Sequence, residues 1–211
     1  VQKEEDAKTQ ILDTLISTFI PNMEHFVSLS NDLSELDVLL SLTLCNHIYR
    51  WNLPMIVQPN DPLVLKNARN PILEMVTDQV VPNDTKLTNT VQIITGPNCS
   101  GKSVYLRQVG MNVFLGLLGC GVAADHGEIP LIKRISTRIT TRESTQTRLS
   151  AFTIDCTQMS LALKNMSSDC LLLIDEFGKG THPSDGFALF TATIRYIQSL
   201  QHPPKTIIST H

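Results

Sequence analysis

The sequence predicts an α/β fold with a mainly parallel sheet flanked by helices, preceded by a helical segment and a small antiparallel sheet. Strand-like apolar runs alternate with stretches of helical periodicity over residues 91–210. A glycine-rich turn joins the first run to its helix, and a later continuous apolar run ends in two acids. Alternating strands and helices are typical of a parallel sheet covered on both faces, and continuous apolar runs are typical of its buried strands.

Two helices are predicted at the start of the chain. Apolar residues recur at helical spacing over residues 3–19 and again over 25–49. Pro21 lies between them, and a proline there ends or kinks the first segment. We interpret both periodic faces as plain packing surfaces.

The helical periodicity of the sequence ends near Trp51. Prolines punctuate short strand-like runs such as residues 55–57 and 63–65. These runs predict a small antiparallel sheet. We therefore predict a helical domain at residues 1–52 and a second domain at 53–211.

The glycine-rich turn follows a strand-like run at residues 91–94 and precedes a helical stretch at 102–118. Residues 96–103 fit G-x-x-x-x-G-K-[ST], the pattern of a loop whose N–H groups cradle phosphate oxygens. The predicted nucleotide-binding residues are Gly96, Pro97, Asn98, Cys99, Ser100, Gly101, Lys102 and Ser103. Lys102 is expected to reach the β- and γ-phosphates, and the Ser103 hydroxyl to ligate Mg²⁺. Taken alone, the pattern also fits a glycine-rich turn that binds nothing.

Two acids follow the apolar run at residues 170–174. At the carboxyl end of a buried parallel strand, Asp175 is expected to hold Mg²⁺, and Glu176 to orient or deprotonate the attacking water. Alternatively, both acids are solvated ends of a strand. The order of the two motifs favours a site that binds and hydrolyses a nucleotide.

Four further elements complete the predicted sheet and its helices. Residues 133–141 and 206–209 read as strands, and residues 152–166 and 186–200 read as helices. The chain of 211 residues is expected to be part of a longer protein.

Composition excludes several classes of protein. The net charge is −3, so the chain lacks the basic field of a general nucleic-acid-binding domain, and DNA contact is expected through parts outside it. Five cysteines without a C-x-x-C pair predict neither a zinc site nor a disulfide framework. No apolar run is long enough to span a bilayer, so no membrane partner is expected.

Four motifs together resemble the MutS family of DNA mismatch-binding ATPases. They are GPNCSGKS at residues 96–103, LSAF at 149–152, DEFGKGT at 175–181 and STH at 209–211. The glycine-proline-asparagine start and the motif after the acidic strand are specific in combination. The resemblance covers essentially the whole chain.

The resemblance implies a phosphate-loop, ABC-type ATPase domain that binds ATP and Mg²⁺ and acts as a dimer with composite sites. Ser150 matches a signature serine that reaches the nucleotide bound by the opposite subunit. His211 matches a histidine that senses the γ-phosphate, and Asp185 an acid at the dimer seam. A second MutS-homologue subunit, in a heterodimer, is the implied partner. Without the family, Ser150 reads as a helix cap and His211 as an exposed chain-end imidazole.

Some positions depart from the family pattern. Ala151 stands where the family usually has Thr, and Asp155 where it usually has Glu. Val80 is the nearest match to an aromatic that stacks on adenine, which predicts a weaker, apolar contact there. Asn70 replaces a usual His.

Phe177 and Lys179 resemble the meiotic branch of the family, whose heterodimer clamps recombination intermediates and promotes crossovers. That likeness implies a nuclear, ATP-dependent DNA clamp subunit in meiotic recombination. Three alternatives stay open. They are a post-replicative mismatch repair homologue, an ATP-binding dimerisation module without turnover, and a different ABC-type ATPase of chromosome maintenance.

Overall fold

The structure is a computed structural model that describes residues 2–77, 79–88, 91–139, 151–178 and 181–210. The chain divides into two compact units, Val1–Leu44 and Cys45–His211. The domain boundary predicted between residues 52 and 53 stays a prediction.

The two helices predicted at the start of the chain are confirmed. Helix α1 spans Gln2–Phe19, a short 3-10 helix spans Ile20–Asn22, and helix α2 spans Met23–Tyr49. Pro21 lies in the 3-10 helix, where its fixed φ is tolerated at a helix start. The apolar positions of α2 do not form the packed face that their spacing predicts, since Leu29, Leu33 and Leu36 are 55%, 57% and 62% exposed.

Besides the end of α2, the described residues of the second unit form two four-stranded sheets and four helices. Its strands are β1 (Met55–Val57), β2 (Leu63–Ala68), β3 (Asn83–Leu87), β4 (Val91–Thr95), β5 (His126–Pro130), β6 (Arg134–Arg138), β7 (Cys170–Asp175) and β8 (Lys205–Thr210). Its helices are α3 (Pro71–Glu74), α4 (Lys102–Leu117), α5 (Ala151–Lys164) and α6 (Pro183–Gln198).

The smaller sheet has the order β1-β5-β2-β3. β2 pairs antiparallel with β3 and β5, as predicted for this part of the chain, whereas β1 pairs parallel with β5. The sheet is therefore mixed, because β5 comes from beyond α4 and enters between β1 and β2. The pattern of residues 126–130 does not predict this strand.

The larger sheet has the order β4-β8-β7-β6, and every pairing in it is parallel. The predicted parallel sheet is therefore confirmed for the described strands. β7 is buried along its whole length, as its continuous apolar run predicts. The last strand of the chain, β8, lies between β4 and β7.

Helices cover both faces of the parallel sheet. Leu171 and Leu173 share one core with α4, where Leu106 packs. Leu172 and Ile174 share a second core with α5 and α6. Alternate side chains of β7 thus point to opposite faces, as the pleat requires.

The buried face of α4 carries a polar anchor. The amide of Asn112 is 0% exposed. It donates to the carbonyl oxygens of Arg69 at 3.0 Å and Gln108 at 2.8 Å, and its oxygen accepts from the Ala123 N–H at 2.7 Å. Asn112 thereby fixes α4 against the segments that precede α3 and β5.

Across the described helices, none combines the length and the apolar character that a membrane span needs.

Candidate functional site

The carboxyl ends of the four parallel strands meet at one edge of the larger sheet. Across that edge they end, in order, at Thr95 of β4, Thr210 of β8, Asp175 of β7 and Arg138 of β6. The register pairs Thr95 with Thr210 and Asp175 with Ser209. The predicted loop after β4 and the predicted acids after β7 therefore lie at the same edge, separated by the width of β8.

The loop between β4 and α4 has an unusual backbone. Cys99 and Gly101 adopt positive φ angles of 61° and 91°, and residues 97–101 are exposed. α4 begins directly afterwards at Lys102, and no side chain of the described residues caps it at Gly101. The first N–H groups of a helix have no partner inside the helix. They and the positive end of the helix dipole are suited to an anion here.

The Lys102 side chain is turned into this loop. Its residue is 8% exposed, and its amine donates to the carbonyl oxygens of Gly96 at 2.7 Å and Pro97 at 3.0 Å. The same amine lies 3.9 Å from a carboxylate oxygen of Glu176. Lys102 therefore joins the loop after β4 to the acids after β7 across the end of β8.

The two acids have different environments. Asp175 is 2% exposed, and its carboxylate accepts a hydrogen bond from the Ser209 hydroxyl. Glu176 is half-buried and has a φ of +46°, a left-handed conformation that is uncommon for a residue other than glycine. Its N–H donates to the Ser209 carbonyl at 3.1 Å. Such strained residues cluster at functional sites.

A buried arginine completes the edge at β6. Arg138 is 4% exposed and donates to the main-chain carbonyl of Asp175 at 3.1 Å. Its guanidinium also forms an ion pair with the carboxylate of Asp155 on α5. The sequence does not point to Arg138, and it marks Ser209 only as part of the STH motif, without a role of its own. The place of Arg138 near the carboxyl end of the strand predicted at residues 133–141 is the signal that could have pointed to it.

The helix that follows the loop is braced by the smaller sheet. The hydroxyls of Thr85 on β3 and Tyr105 on α4 lie 2.9 Å apart and share a hydrogen bond. Burial raises the pKa of the Tyr105 phenol, and the hydrogen bond with Thr85 acts in the opposite direction. Tyr105 is therefore neutral at physiological pH and fixes the first turn of α4.

The residues at this edge fit ATP and Mg²⁺. The exposed loop with its uncapped helix start suits a polyphosphate, and the Lys102 amine already has anionic and carbonyl oxygens as partners. The described residues contain no cluster of three or more His, Cys, Asp and Glu side chains that could hold a metal ion by themselves. Mg²⁺ is commonly held by one or two carboxylates together with substrate phosphates, and the buried Asp175 fits that arrangement.

The structure brings together the loop residues Gly96 to Ser103, Asp175 and Glu176. Ser150 and His211, with Lys179 of the motif after β7, lie outside the described residues. Asp185 is exposed in the first turn of α6.

Two of the positions that depart from the family pattern lie near α3. Asn70 caps this helix, because its side-chain oxygen accepts from the N–H groups of Ile72 and Leu73. Val80 is half-buried in the segment between α3 and β3.

The chain contains a mixed α/β domain that carries a loop, a lysine and two acids at the carboxyl edge of its parallel sheet. This arrangement is consistent with an ATPase fold. Residues 92–211 match the family described as MutS domain V. The chain therefore belongs to the MutS family.

The relatives of the chain carry names from DNA mismatch repair. It is 33% identical over 215 residues to the DNA mismatch repair protein MutS of Clostridioides difficile, covering 100% of this chain and 22% of the relative. It is 35% identical over 215 residues to the protein of the same name from Bacillus cytotoxicus, covering 100% and 23%. It is 33% identical over 197 residues to the DNA mismatch repair protein MSH3 of Debaryomyces hansenii, covering 90% and 19%. The chain thus spans about a fifth to a quarter of the length of these relatives.

Proposed function

We propose that the chain is the ATP-binding and ATP-hydrolysing part of a MutS-type DNA clamp subunit. The position of Lys102 carries the proposal. Its amine lies between the carbonyls of the loop after β4 and the carboxylate of Glu176. A lysine that neither pairs on the surface nor points to solvent is suited to meet the phosphates that would enter this loop.

Each residue at the edge has a proposed role. The N–H groups of the loop and of the first turn of α4 bind phosphate oxygens, and Lys102 exchanges its carbonyl partners for phosphate charge. Asp175 and the Ser103 hydroxyl hold Mg²⁺. Glu176 takes the proton of the attacking water. ATP, when bound, supplies the phosphoryl group, and Mg²⁺ neutralises its charge.

The proposed site is composite. Ser150 acts on the nucleotide of a second MutS-homologue subunit, and His211 senses the γ-phosphate in its own site. Both assignments rest on the match of their motifs to the family. The exposed position of Asp185 on α6 is compatible with a place at the seam between subunits. On this proposal, residues 1–52 are the helical end of the preceding domain, and residues 53–211 are the ATPase domain.

For the biological role, we propose meiotic crossover formation in the nucleus, with DNA bound by parts of the protein outside this chain. Phe177 and Lys179 support that branch. Post-replicative mismatch repair is the second candidate, and the names of the bacterial relatives and of MSH3 support it.

One experiment tests both the activity and the role. The full-length protein, purified with its partner subunit, is assayed for ATP hydrolysis and for ATP-dependent release from three DNAs, a matched duplex, a mismatched duplex and a four-way junction. The proposal predicts DNA-dependent hydrolysis with preference for the junction. Preference for the mismatch would support the repair role instead. ATP binding without turnover on any DNA would support a dimerisation module.

A separate mixing experiment tests the composite site. Ser150→Ala is placed in one subunit, and the phosphate loop is disabled in either that subunit or its partner. The composite model predicts that hydrolysis falls at the partner's site. A loss confined to the altered subunit's own site would reduce Ser150 to a helix cap.

A further inference from the structure

We propose that Arg138 is a positioning residue that couples helix α5 to the hydrolytic acid Glu176. This inference rests on the proposed function, because it concerns the rate of ATP hydrolysis at the same edge. It adds Arg138 to the site and gives a role to Asp155, which stands where the family usually has Glu.

The peptide bond between Asp175 and Glu176 is held at both of its polar ends. Its carbonyl accepts from Arg138 at 3.1 Å, and its N–H donates to the Ser209 carbonyl at 3.1 Å. Both polar ends of this peptide plane are therefore held. At the φ of +46° that Glu176 adopts, the orientation of this plane sets the direction in which the Glu176 side chain leaves the main chain.

Glu176 needs such restraint. Its φ of +46° lies in a region that L residues enter only where the surroundings impose it. Without the hydrogen bond from Arg138, a relaxed conformation of Glu176 would become more accessible. The carboxylate would then lose its position 3.9 Å from the Lys102 amine.

An ion pair with helix α5 holds Arg138 in place. Its guanidinium pairs with the Asp155 carboxylate, whose side chain is only 16% exposed. Asp155 is the fifth residue of α5, so it lies about 6 Å along the axis from the start of that helix. A displacement of the start of α5 moves this carboxylate, and with it the guanidinium that holds the Asp175–Glu176 peptide.

The start of α5 directly follows Ser150, the residue proposed to contact the nucleotide of the second subunit. A contact between subunits at this point would therefore act on Glu176 through the Asp155–Arg138 pair. Both side chains of the pair have low exposure, so neither group readily exchanges its partner for water. A movement of Asp155 is therefore passed on to Arg138.

The test uses the full-length protein in complex with its partner subunit. Arg138→Gln, Asp155→Asn, their combination, and the conservative Asp155→Glu are compared by ATP affinity and by single-turnover hydrolysis. Arg134→Gln is the matched control, because Arg134 lies on the same strand and donates to a main-chain carbonyl, that of Asn165, at 3.3 Å away from the site.

Supporting residues behind a reactive group typically contribute about 10–100-fold. We expect a loss of that size in the hydrolysis rate for Arg138→Gln and for Asp155→Asn, with ATP affinity changed by no more than about twofold. The combined variant is expected to be no slower than the slower single variant, because the two residues act as one unit. Asp155→Glu and Arg134→Gln should hydrolyse at the unaltered rate.

Several outcomes would overturn the inference. Unaltered hydrolysis in Arg138→Gln would do so, as would additive losses in the combined variant or a proportional loss of ATP affinity. If Arg138→Gln does not fold, the comparison of Asp155→Asn with Asp155→Glu decides, and equal rates for the two overturn it. Absence of hydrolysis in the unaltered complex would overturn the proposed function and this inference together, whereas failure of the variants alone to slow hydrolysis concerns only the inference.

Discussion

Glu176 lies where two constraints meet. Its main chain is held in a left-handed conformation beside Ser209, and its carboxylate faces the Lys102 amine at 3.9 Å. The amine and the carboxylate balance each other's charge. On our proposal, phosphate draws Lys102 away and leaves Glu176 available as a base.

We expect Glu176→Gln to retain ATP and Mg²⁺ binding and to hydrolyse ATP about 10²–10⁴-fold more slowly, because the amide keeps the shape and loses the base. Single-turnover hydrolysis by the full-length complex checks this. Glu128→Gln is the control, since Glu128 pairs with His126 on the smaller sheet. A Glu176→Gln enzyme as fast as the unaltered one would place the base elsewhere.

At the residue scale, local pattern predicted the loop from Gly96 to Ser103 and the two acids, because each depends on a short run of sequence. Ser209 and Arg138 escaped prediction for a physical reason. Ser209 contacts Asp175 only because β8 lies beside β7, and Arg138 acquires its partners from α5 and β7. Such contacts are set by strand order, which local periodicity does not contain.

Helix α4 must be held firmly in place, because the proposed phosphate loop leads directly into its first turn. Apolar packing holds one side of it, and the buried Asn112 amide ties it to Arg69 and Ala123 through two hydrogen bonds. Tyr105 adds a third polar contact, to Thr85. The loop is thus carried by a helix that is tied to both sheets.

We expect Asn112→Ala to lower the free energy of unfolding by about 1–3 kcal/mol, because it leaves the buried Ala123 N–H without its acceptor. Denaturant unfolding of the full-length protein, followed by a probe of this domain, gives the value. Asn165→Ala is the matched control, since the side chain of that exposed asparagine donates to the Leu161 carbonyl, one turn earlier in α5. Equal losses in the two variants would contradict the anchoring role of Asn112.

Most elements were predictable from the sequence, and the failure at β5 shows the limit. β7 and α4 have the apolar run and the helical period that define their type. β5 reads His-Gly-Glu-Ile-Pro, with glycine and proline that argue against a strand. It becomes a strand because β1 and β2 offer it partners on both sides. The exposed apolar positions of α2 show the reverse case, a correct periodicity without a packed face.

On the scale of the whole molecule, buried thiols make stability depend on pH. Burial raises the pKa of Cys170 in β7, and the hydrogen bond with Ser136 opposes that shift. Cys170 therefore stays neutral in the folded chain at a pH where the unfolded thiol, with a pKa of about 8.5, has ionised. The free energy of unfolding is unaffected below the pKa of the unfolded thiol. It falls as the pH rises from there toward the higher pKa that the thiol has in the folded chain. Burial lowers the pKa of the Lys205 amine. Lys205 therefore makes the free energy of unfolding rise with pH, the opposite of the effect of Cys170.

We expect the melting temperature of the protein to fall between about pH 8 and pH 10 less steeply in Cys170→Ala than in the unaltered protein, because only the latter holds this thiol neutral. Thermal unfolding under reducing conditions measures the slope. The exposed Cys99 provides the matched control, and Cys99→Ala should show the unaltered slope. Identical slopes in all three proteins would show that Cys170 does not contribute.

The parallel sheet and its helices could be predicted at this scale, but the strand order β4-β8-β7-β6 could not. In this order, β8 lies between β4 and β7 and therefore separates the loop after β4 from the acids at the end of β7. Lys102 must therefore reach across the end of β8 to meet Glu176. Side-chain reach and strand order are properties of the folded chain, and both the site and the proposed role of Arg138 depend on them.

Calorimetric titration of the full-length protein with ATP and Mg²⁺ tests the central claim most directly. Lys102→Ala removes a buried amine at the proposed phosphates, and charged hydrogen bonds of this kind are worth about 1.5–3 kcal/mol, or roughly 10–150-fold in affinity. Lys133→Ala is the control, because Lys133 is 74% exposed beside Asp169 at the start of β6. We expect Lys102→Ala to weaken ATP binding by that factor and Lys133→Ala to bind ATP normally. Equal affinity for ATP in all three proteins would contradict it.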